Sequence, residues 1–316
     1  MISSRKRSQH RADPGGPRYQ ASLGYARRRA NERGHGITGP NRNPAAPRLP
    51  HELARDALAC LATGAAIVHT HTHDPARSPR EGAALYLEAY RPILDARPDA
   101  ILYPTTGLGA TFDERYGHHV HLAEAGAIRQ GLVDPGSVNF GESGPDGRPL
   151  DVDFVYRNSP RDVTQMVEHC ARLRLGPSVA CFEPGFLRAI VAYHRAGLLP
   201  PGALVKLYFM ERGYLGGGEP HFGVPPIREA LDLYLAMLGD SGLSWAVAVL
   251  GGSLLDSPLA GWALERGGHL RVGLEDFPDA KSNRDEVERA RQLCERYDRP
   301  LATPAEAAAL LRLPAR

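Results

Sequence analysis

From about Ile37 to the C-terminus the sequence repeats one rhythm, a helix-like stretch followed by a short apolar run. The runs GAAIVHTHTH, DAILYPTTG, SVACFEPG, ALVKLYFM, LSWAVAVLGG and HLRVGLED are rich in Val, Ile and aromatic residues and stay apolar through most of their length. LVDPGSVNFG leads to a further strand end and loop. Strands that are apolar on both faces belong in a parallel sheet covered by helices, because an exposed face would carry alternating polar residues. Residues 50–62, 81–95, 117–130, 160–175, 186–197, 226–239, 258–268 and 283–297 read as the covering helices; in the first, Leu53, Ala57 and Leu61 share a face. About seven βα units are visible. That number predicts an α/β fold closed as a (β/α)8 TIM barrel, with an open doubly wound sheet as the alternative. Strand one should lie just before Ile37, where ANERGHGIT makes an irregular or weak barrel strand.

Residues 1–36 are polar, basic and punctuated by Gly and Pro, and read as a disordered N-terminal tail ahead of one barrel domain over residues 37–316. The start has no apolar h-region, and Asp13 with the early Pro and Gly residues argues against an amphipathic targeting helix. A length of 316 residues suits a single α/β barrel. With net charge +2, nothing global points to nucleic acid or an anionic membrane surface, and no apolar run approaches the ~20 residues of a membrane span. Cys60, Cys170, Cys181 and Cys294 are widely spaced without metal-type pairing. They read as buried thiols of a protein in a reducing, cytoplasmic compartment.

The sharpest chemical feature is His69-Thr70-His71-Thr72-His73-Asp74. Side chains alternate faces along a strand, so His69 and His71 point the same way, at the strand end where barrel sites form. Two neutral imidazoles converging there are good zinc ligands, against the simpler reading of a solvated polar strand end. Arg271, Gly273 and Glu275 share a face of the last apolar run, and Glu275 would complete a His2Glu site with one open position. The competing reading there is an Arg–carboxylate plug. Glu183 ends SVACFE, where a carboxylate serves as general base or as a salt-bridge partner. Thr105-Thr106-Gly107 offers hydroxyls and backbone N–H groups to a carboxylate or enolate oxygen, or is a plain loop. Tyr214-Leu215-Gly216-Gly217-Gly218 lacks the lysine of a phosphate-binding loop. It either lets a bulky substrate approach the backbone or is a flexible connection.

GAAIVHTHTHDP, YPTTG, GSVNFG, FEPG, WAVAVLGG, RVGLED and RPLATPAEA occur in this order, and together the chain resembles the β-keto acid cleavage enzymes from about Ile37 onward. The resemblance implies a TIM barrel with zinc on His69, His71 and Glu275, and acetyl-CoA as co-substrate. It also implies Arg271, Asp276, Glu183 and Thr105 as catalytic residues, with Asn41, His73, Thr106, Gly107 and Leu108 contacting a small-molecule 3-oxo acid. The implied reaction condenses the 3-oxo acid with acetyl-CoA and releases acetoacetate and a new acyl-CoA by retro-Claisen cleavage. Arg271 would stabilise the enolate electrostatically, its pKa being too high for a base, and Asp276 would accept the proton. A homo-oligomer, a tetramer, is implied as well.

Three departures stand out. Asn41 follows Ile37-Thr38-Gly39-Pro40, where the type member carries a glutamate that pairs with the substrate's ammonium; this disfavours a cationic amino substrate. His73 stands where relatives usually carry Arg. Strand one lacks the usual apolar run. Two other readings compete: a metal-dependent hydrolase of the amidohydrolase type, which also opens with HxH but needs further strand-end histidines, and a degenerate relative that binds zinc or acyl-CoA without turnover.

Overall fold

A computed structural model describes residues 19–23, 43–72, 74, 77–151, 155–212, 214 and 218–315. In chain order these form β1 (Tyr19–Leu23), α1 (Pro50–Thr63), β2 (Ile67–Thr70), α2 (Pro79–Ala96), β3 (Ile101–Pro104), α3 (Phe112–Glu124), β4 (Gln130–Val133), β5 (Val138–Asn139), β6 (Val155–Tyr156), α4 (Pro160–Arg172), β7 (Gly176–Cys181), α5 (Pro184–Arg195), β8 (Leu204–Met210), α6 (Arg228–Leu238), β9 (Ser244–Leu250), α7 (Pro258–Glu265), β10 (His269–Gly273), α8 (Asn283–Arg296) and α9 (Pro304–Leu311). Eight strands pair in parallel in the order β3-β2-β1-β10-β9-β8-β7-β4. The two ends meet, with Arg129 N–H donating to the Leu102 carbonyl at 3.2 Å. The ring therefore follows chain order and is a (β/α)8 barrel, as the rhythm of apolar runs predicts. β5 and β6 form a small antiparallel pair in the loop after β4.

The physical reason for this closure is visible residue by residue. β2, β3, β4, β7, β8 and β10 are buried along their whole length. Outward residues such as Val68, Leu102, Val179, Val205, Leu207, Val247 and Leu270 pack under the helices. Many prolines begin helices rather than loops: α1, α2, α4, α5, α7 and α9 all start on Pro, where the missing N–H costs no hydrogen bond. α3 starts earlier than its apolar periodicity suggests, because the Thr111 hydroxyl accepts from Glu114 N–H and the Glu114 carboxylate returns to Thr111 N–H. Ile67, Ile101, Leu132, Leu204 and Ala246 meet Ala307, Ala308 and Leu311 of α9, which closes the bottom of the barrel with an apolar floor. Among the described residues no helix is long and apolar enough to cross a membrane. All four cysteines are buried free thiols.

Strand one corrects the sequence reading. It lies at Tyr19–Leu23, inside the stretch taken as tail, and not just before Ile37. Its backbone pairs on both sides, Ser22 level with His69 of β2 and with Gly273 of β10. Two flanking ladders fix a strand of only five residues without the apolar run that would announce it. The barrel therefore begins ahead of residue 37. Asn41 and His73 lie outside the described residues, as do residues 215–217 of the glycine run.

Candidate metal and active site

The inner faces of β2 and β10 carry the centre of the site. His69 is the penultimate residue of β2 and His71 follows the strand, on the same inward face; both are buried. On β10 the strand stops at Gly273, whose φ of 146° suits glycine and disfavours residues with a Cβ. Asp276 N–H and Phe277 N–H both return to the Gly273 carbonyl, at 3.1 and 2.9 Å, so Glu275 sits in a tight turn and not on the strand itself. That turn swings Glu275 towards the histidines and Asp276 towards Arg271.

Three donor atoms converge. His69 Nε2 and His71 Nε2 are 3.2 Å apart, and His71 Nε2 is 3.0 Å from Glu275 Oε1. His69 Nε2 is 3.7 Å from Glu275 Oε2, and one ligand atom from each residue lies within 4.8 Å of the others. Nitrogens held 2.0–2.1 Å from one tetrahedral zinc stand about 3.3 Å apart, so this donor set fits such an ion. Burial holds the His69 imidazole well below its usual pKa, which keeps it neutral and able to ligate. Burial alone would raise the Glu275 carboxyl, but His71, Arg271 and His69 outweigh it and keep the group ionised. Two imidazoles and one carboxylate are three protein ligands, the number that a catalytic zinc site uses while leaving its fourth position to water or substrate.

Arg271 is the second element of the centre, 1% exposed. Its Nη2 donates to Glu275 Oε2 at 2.5 Å, and its Nε to Asp276 Oδ2 at 2.9 Å. Nη1 donates to the Tyr103 hydroxyl at 3.3 Å, and the guanidinium lies 5.4 Å from the Tyr208 ring centroid. Burial pushes Asp276 up to about 7, against the pull of Arg271. The Arg–carboxylate plug and the metal reading are thus the same cluster: Arg271 bridges a candidate ligand and a carboxyl group poised near neutrality.

Residues 34–313 match the family model of the beta-keto acid cleavage enzyme. The chain belongs to that family. Similar proteins include a 3-keto-5-aminohexanoate cleavage enzyme of Fusobacterium nucleatum, 27% identical over 86% of this chain and 92% of that one. A 3,5-dioxohexanoate:acetyl-CoA acetone transferase of Paraburkholderia graminis is 29% identical over 88% and 92%. A 3-oxoadipate:acetyl-CoA acetyltransferase of Cupriavidus necator is 29% identical over 86% and 89%. Among solved structures, the ternary complex of ObcA with C4-CoA adduct and oxalate superposes with a TM-score of 0.58 at 17% identity, over 85% of this chain and 68% of that one, which supports the barrel fold.

Within this beta-keto acid cleavage enzyme the other sequence candidates occupy the rim. Thr105 follows β3; its N–H donates to the Thr70 carbonyl at 3.0 Å and its carbonyl accepts from His118 Nε2 at 2.7 Å. Thr106 is half-buried, Gly107 N–H donates to the Arg115 carbonyl at 2.7 Å, and Leu108 is exposed. Glu183 is the residue ahead of α5, and its Oε1 accepts from Gly223 N–H at 2.9 Å. The structure gives it that loop contact and leaves it outside the donor cluster of His69, His71 and Glu275.

Sequence reasoning missed the opposite wall. Lys206, in the middle of ALVKLYFM, is 1% exposed and donates to the Tyr103 hydroxyl at 3.2 Å. Tyr103 in turn stacks on His69, ring centroids 4.4 Å apart. Burial and the nearby Arg271 push Lys206 down to about 7. Asp134, just after β4, accepts a hydrogen bond from the Tyr156 hydroxyl, and burial raises its carboxyl to about 6 despite Lys206. The available signal was a lysine inside a fully apolar barrel strand, on the same face as Tyr208.

Proposed function

We propose that this member of the family exchanges acyl groups between a 3-oxo acid and acetyl-CoA at a zinc centre held by His69, His71 and Glu275. The observation that carries the reading is the convergence of those three buried donors beside the Arg271–Asp276 pair at the mouth of a barrel of this family. The relatives' names, which pair 3-oxo acids with acetyl-CoA, support the same reaction class.

When bound, zinc supplies Lewis acidity and a template that orients the oxygen atoms of the 3-oxo acid. The chain's own residues do the rest. Asp276 takes the C2 proton onto a carboxylate oxygen; burial, by raising this group to about 7, makes it a base matched to neutral pH. Arg271 keeps its charge and steadies the enolate oxygen, since burial alone would lower its pKa but the adjacent Asp276 and Glu275 carboxylates outweigh that and leave the guanidinium still more firmly protonated. The C2 carbon then forms a bond to the acetyl carbonyl carbon of acetyl-CoA, and the CoA thiolate leaves. CoA sulfur attacks the original 3-oxo carbon, the C2–C3 bond breaks, and C2 leaves as the enolate of acetoacetate, which recovers a proton. One thioester is consumed and one is formed. Thr105, with Thr106, Gly107 and Leu108 beside it, offers the rim to the substrate's oxygens, and Glu183 bounds the site on the β7 side.

The test is a coupled assay with acetyl-CoA and a panel of 3-oxo acids, some bearing a cationic amino group, with metal content measured on the same protein. Acetoacetate and a new acyl-CoA with about one zinc per chain support the reading. Bound zinc with hydrolysis of simple amides or lactones instead overturns it in favour of a hydrolase. The homo-oligomer implied by the family resemblance and the cytoplasmic location read from the cysteines belong to the same proposal, and light scattering checks the former.

A further inference from the structure

Histidines that hold a metal usually donate their far ring N–H to a fixed acceptor, which sets the ring's tautomer and direction. His69 departs from that habit: its buried Nδ1 has no hydrogen-bond partner among the described residues. Its ring is braced by the Tyr103 face and, edge-on, by the His71 ring, and neither contact fixes the far nitrogen. Something else has to hold the His69-Thr70-His71 arm.

Thr70 is the obvious handle. It lies between the two histidines and points the opposite way, out of the barrel and into the helix layer. Its hydroxyl is 2.6 Å from the Tyr90 hydroxyl of α2, and both residues are wholly buried. The Thr70 carbonyl accepts from Thr105 N–H at 3.0 Å and from the Tyr86 hydroxyl at 3.4 Å. The Tyr86 oxygen also accepts from Thr105 N–H at 3.3 Å. On the other side of Thr105, His118 Nε2 donates to the Thr105 carbonyl. A carbonyl only accepts, so this nitrogen carries the proton. Burial pushes His118 down to about 4, which keeps it a neutral donor with that one tautomer. Tyr86 and Tyr90 stand four residues apart on one face of α2, and the Tyr86 ring stacks on His118 of α3 at 5.6 Å and 10°. The result is one buried polar layer behind the ends of β2 and β3.

We propose that Tyr90, Tyr86 and His118 are positioning residues, which lock the His69–His71 arm to the Thr105 peptide so that metal donors and substrate rim share one fixed geometry. This rests on the zinc reading above. Packing alone does not explain the layer: a Val–Phe pair would fill the Thr70–Tyr90 space, and replacing both members of a buried hydrogen bond with apolar groups of similar shape is close to neutral for stability. What only the hydroxyl pair supplies is a directional tether between α2 and the arm.

The test uses Thr70→Val, Tyr90→Phe and the double variant, titrated with zinc against a chromogenic chelator, and thermal melts of the metal-free proteins. Each single variant is expected to melt lower, because it leaves one buried hydroxyl without its partner. The double variant is expected to regain most of that melting temperature while its zinc affinity stays about 10-fold weaker, the low end for outer-layer partners of metal ligands. Tyr86→Phe keeps the Thr105–Thr70 backbone bond and the fold. It is expected to lose about 10-fold in zinc affinity by the same mechanism, and to raise the KM for the 3-oxo acid. Wild-type zinc affinity in both the double variant and Tyr86→Phe overturns the proposal and leaves the zinc reading standing. No zinc binding by the wild-type chain overturns both.

Discussion

The two ends of the barrel interior are built by the same strands and differ in everything else. At the floor, Ile67, Ile101, Leu132, Leu204 and Ala246 press against α9 and exclude water. One step along the same inward faces the residues become His69, Tyr103, Asp134 and Lys206, and further on His71 and Tyr208. An inward face repeats every second residue, so Ile67 and His69 differ only by one pleat. The lesson is that packing and chemistry are separated along the strand axis and not between strands. β2, β3, β4 and β8 each bring a hydrophobic anchor below a functional group, and losing a floor residue should therefore damage something different from losing a mouth residue.

The sharpest break in that contrast is at the mouth. His71→Ala is expected to remove the metal and to lower turnover by about 10^3-fold, the loss of several kcal/mol of transition-state stabilisation. The metal-free melting temperature should stay close to wild type; a fall comparable to that of a floor variant would erase the distinction. Arg271→Met is the exception that sharpens it. It leaves Glu275 and Asp276 buried without their shared cation, and a cost of about 3–5 kcal/mol in chemical denaturation is expected alongside lost activity. Leu204→Ala, at the floor, is expected to cost about 2–4 kcal/mol of stability with little change in kcat for the folded fraction. A kcat loss there equal to that of a mouth variant would show that the two layers are coupled.

The smallest effect is in pH dependence. Burial and Arg271 hold Lys206 near 7 in the folded chain, against about 10.4 when unfolded. Between about 7 and 10 the unfolded chain therefore binds more protons, and this group makes stability rise with pH across that window. Lys206→Met should flatten the alkaline part of a plot of melting temperature against pH for the metal-free protein. An unchanged slope would mean that Lys206 keeps its charge in the folded barrel.

The helices and the late strands were legible because burial on both faces leaves unbroken apolar runs, and the His69–His71 pair was legible because its spacing matches the pleat. Glu275 was found from RVGLED, although the turn at Gly273 that aims it was not. β1 escaped because hydrogen bonding to β2 and β10 can hold YQASL without an apolar run. Lys206 and Asp134 escaped for the opposite reason: inside apolar surroundings one charged residue looks like an interruption until its neighbours from other strands are known. The layer of Tyr86, Tyr90 and His118 belongs to helix faces that periodicity assigns to the core, and only three-dimensional proximity shows that they hold the backbone of the arm.

His71 and Glu275 are 204 positions apart in the chain, yet they follow strands that flank a single neighbour, β1. A metal held as proposed would therefore act as a clasp across the seam of the ring. A ribosome-bound chain that has not yet released β10 has two ligands and nothing to complete them. On the proposed zinc reading, zinc capture would report that the last strand has reached the first, and an ion that binds only the closed form would add its own affinity to the closure. Chelation should accordingly loosen the β10–β1–β2 sector first and the β7–β8–β9 wall last, a sequence that hydrogen exchange can follow strand by strand.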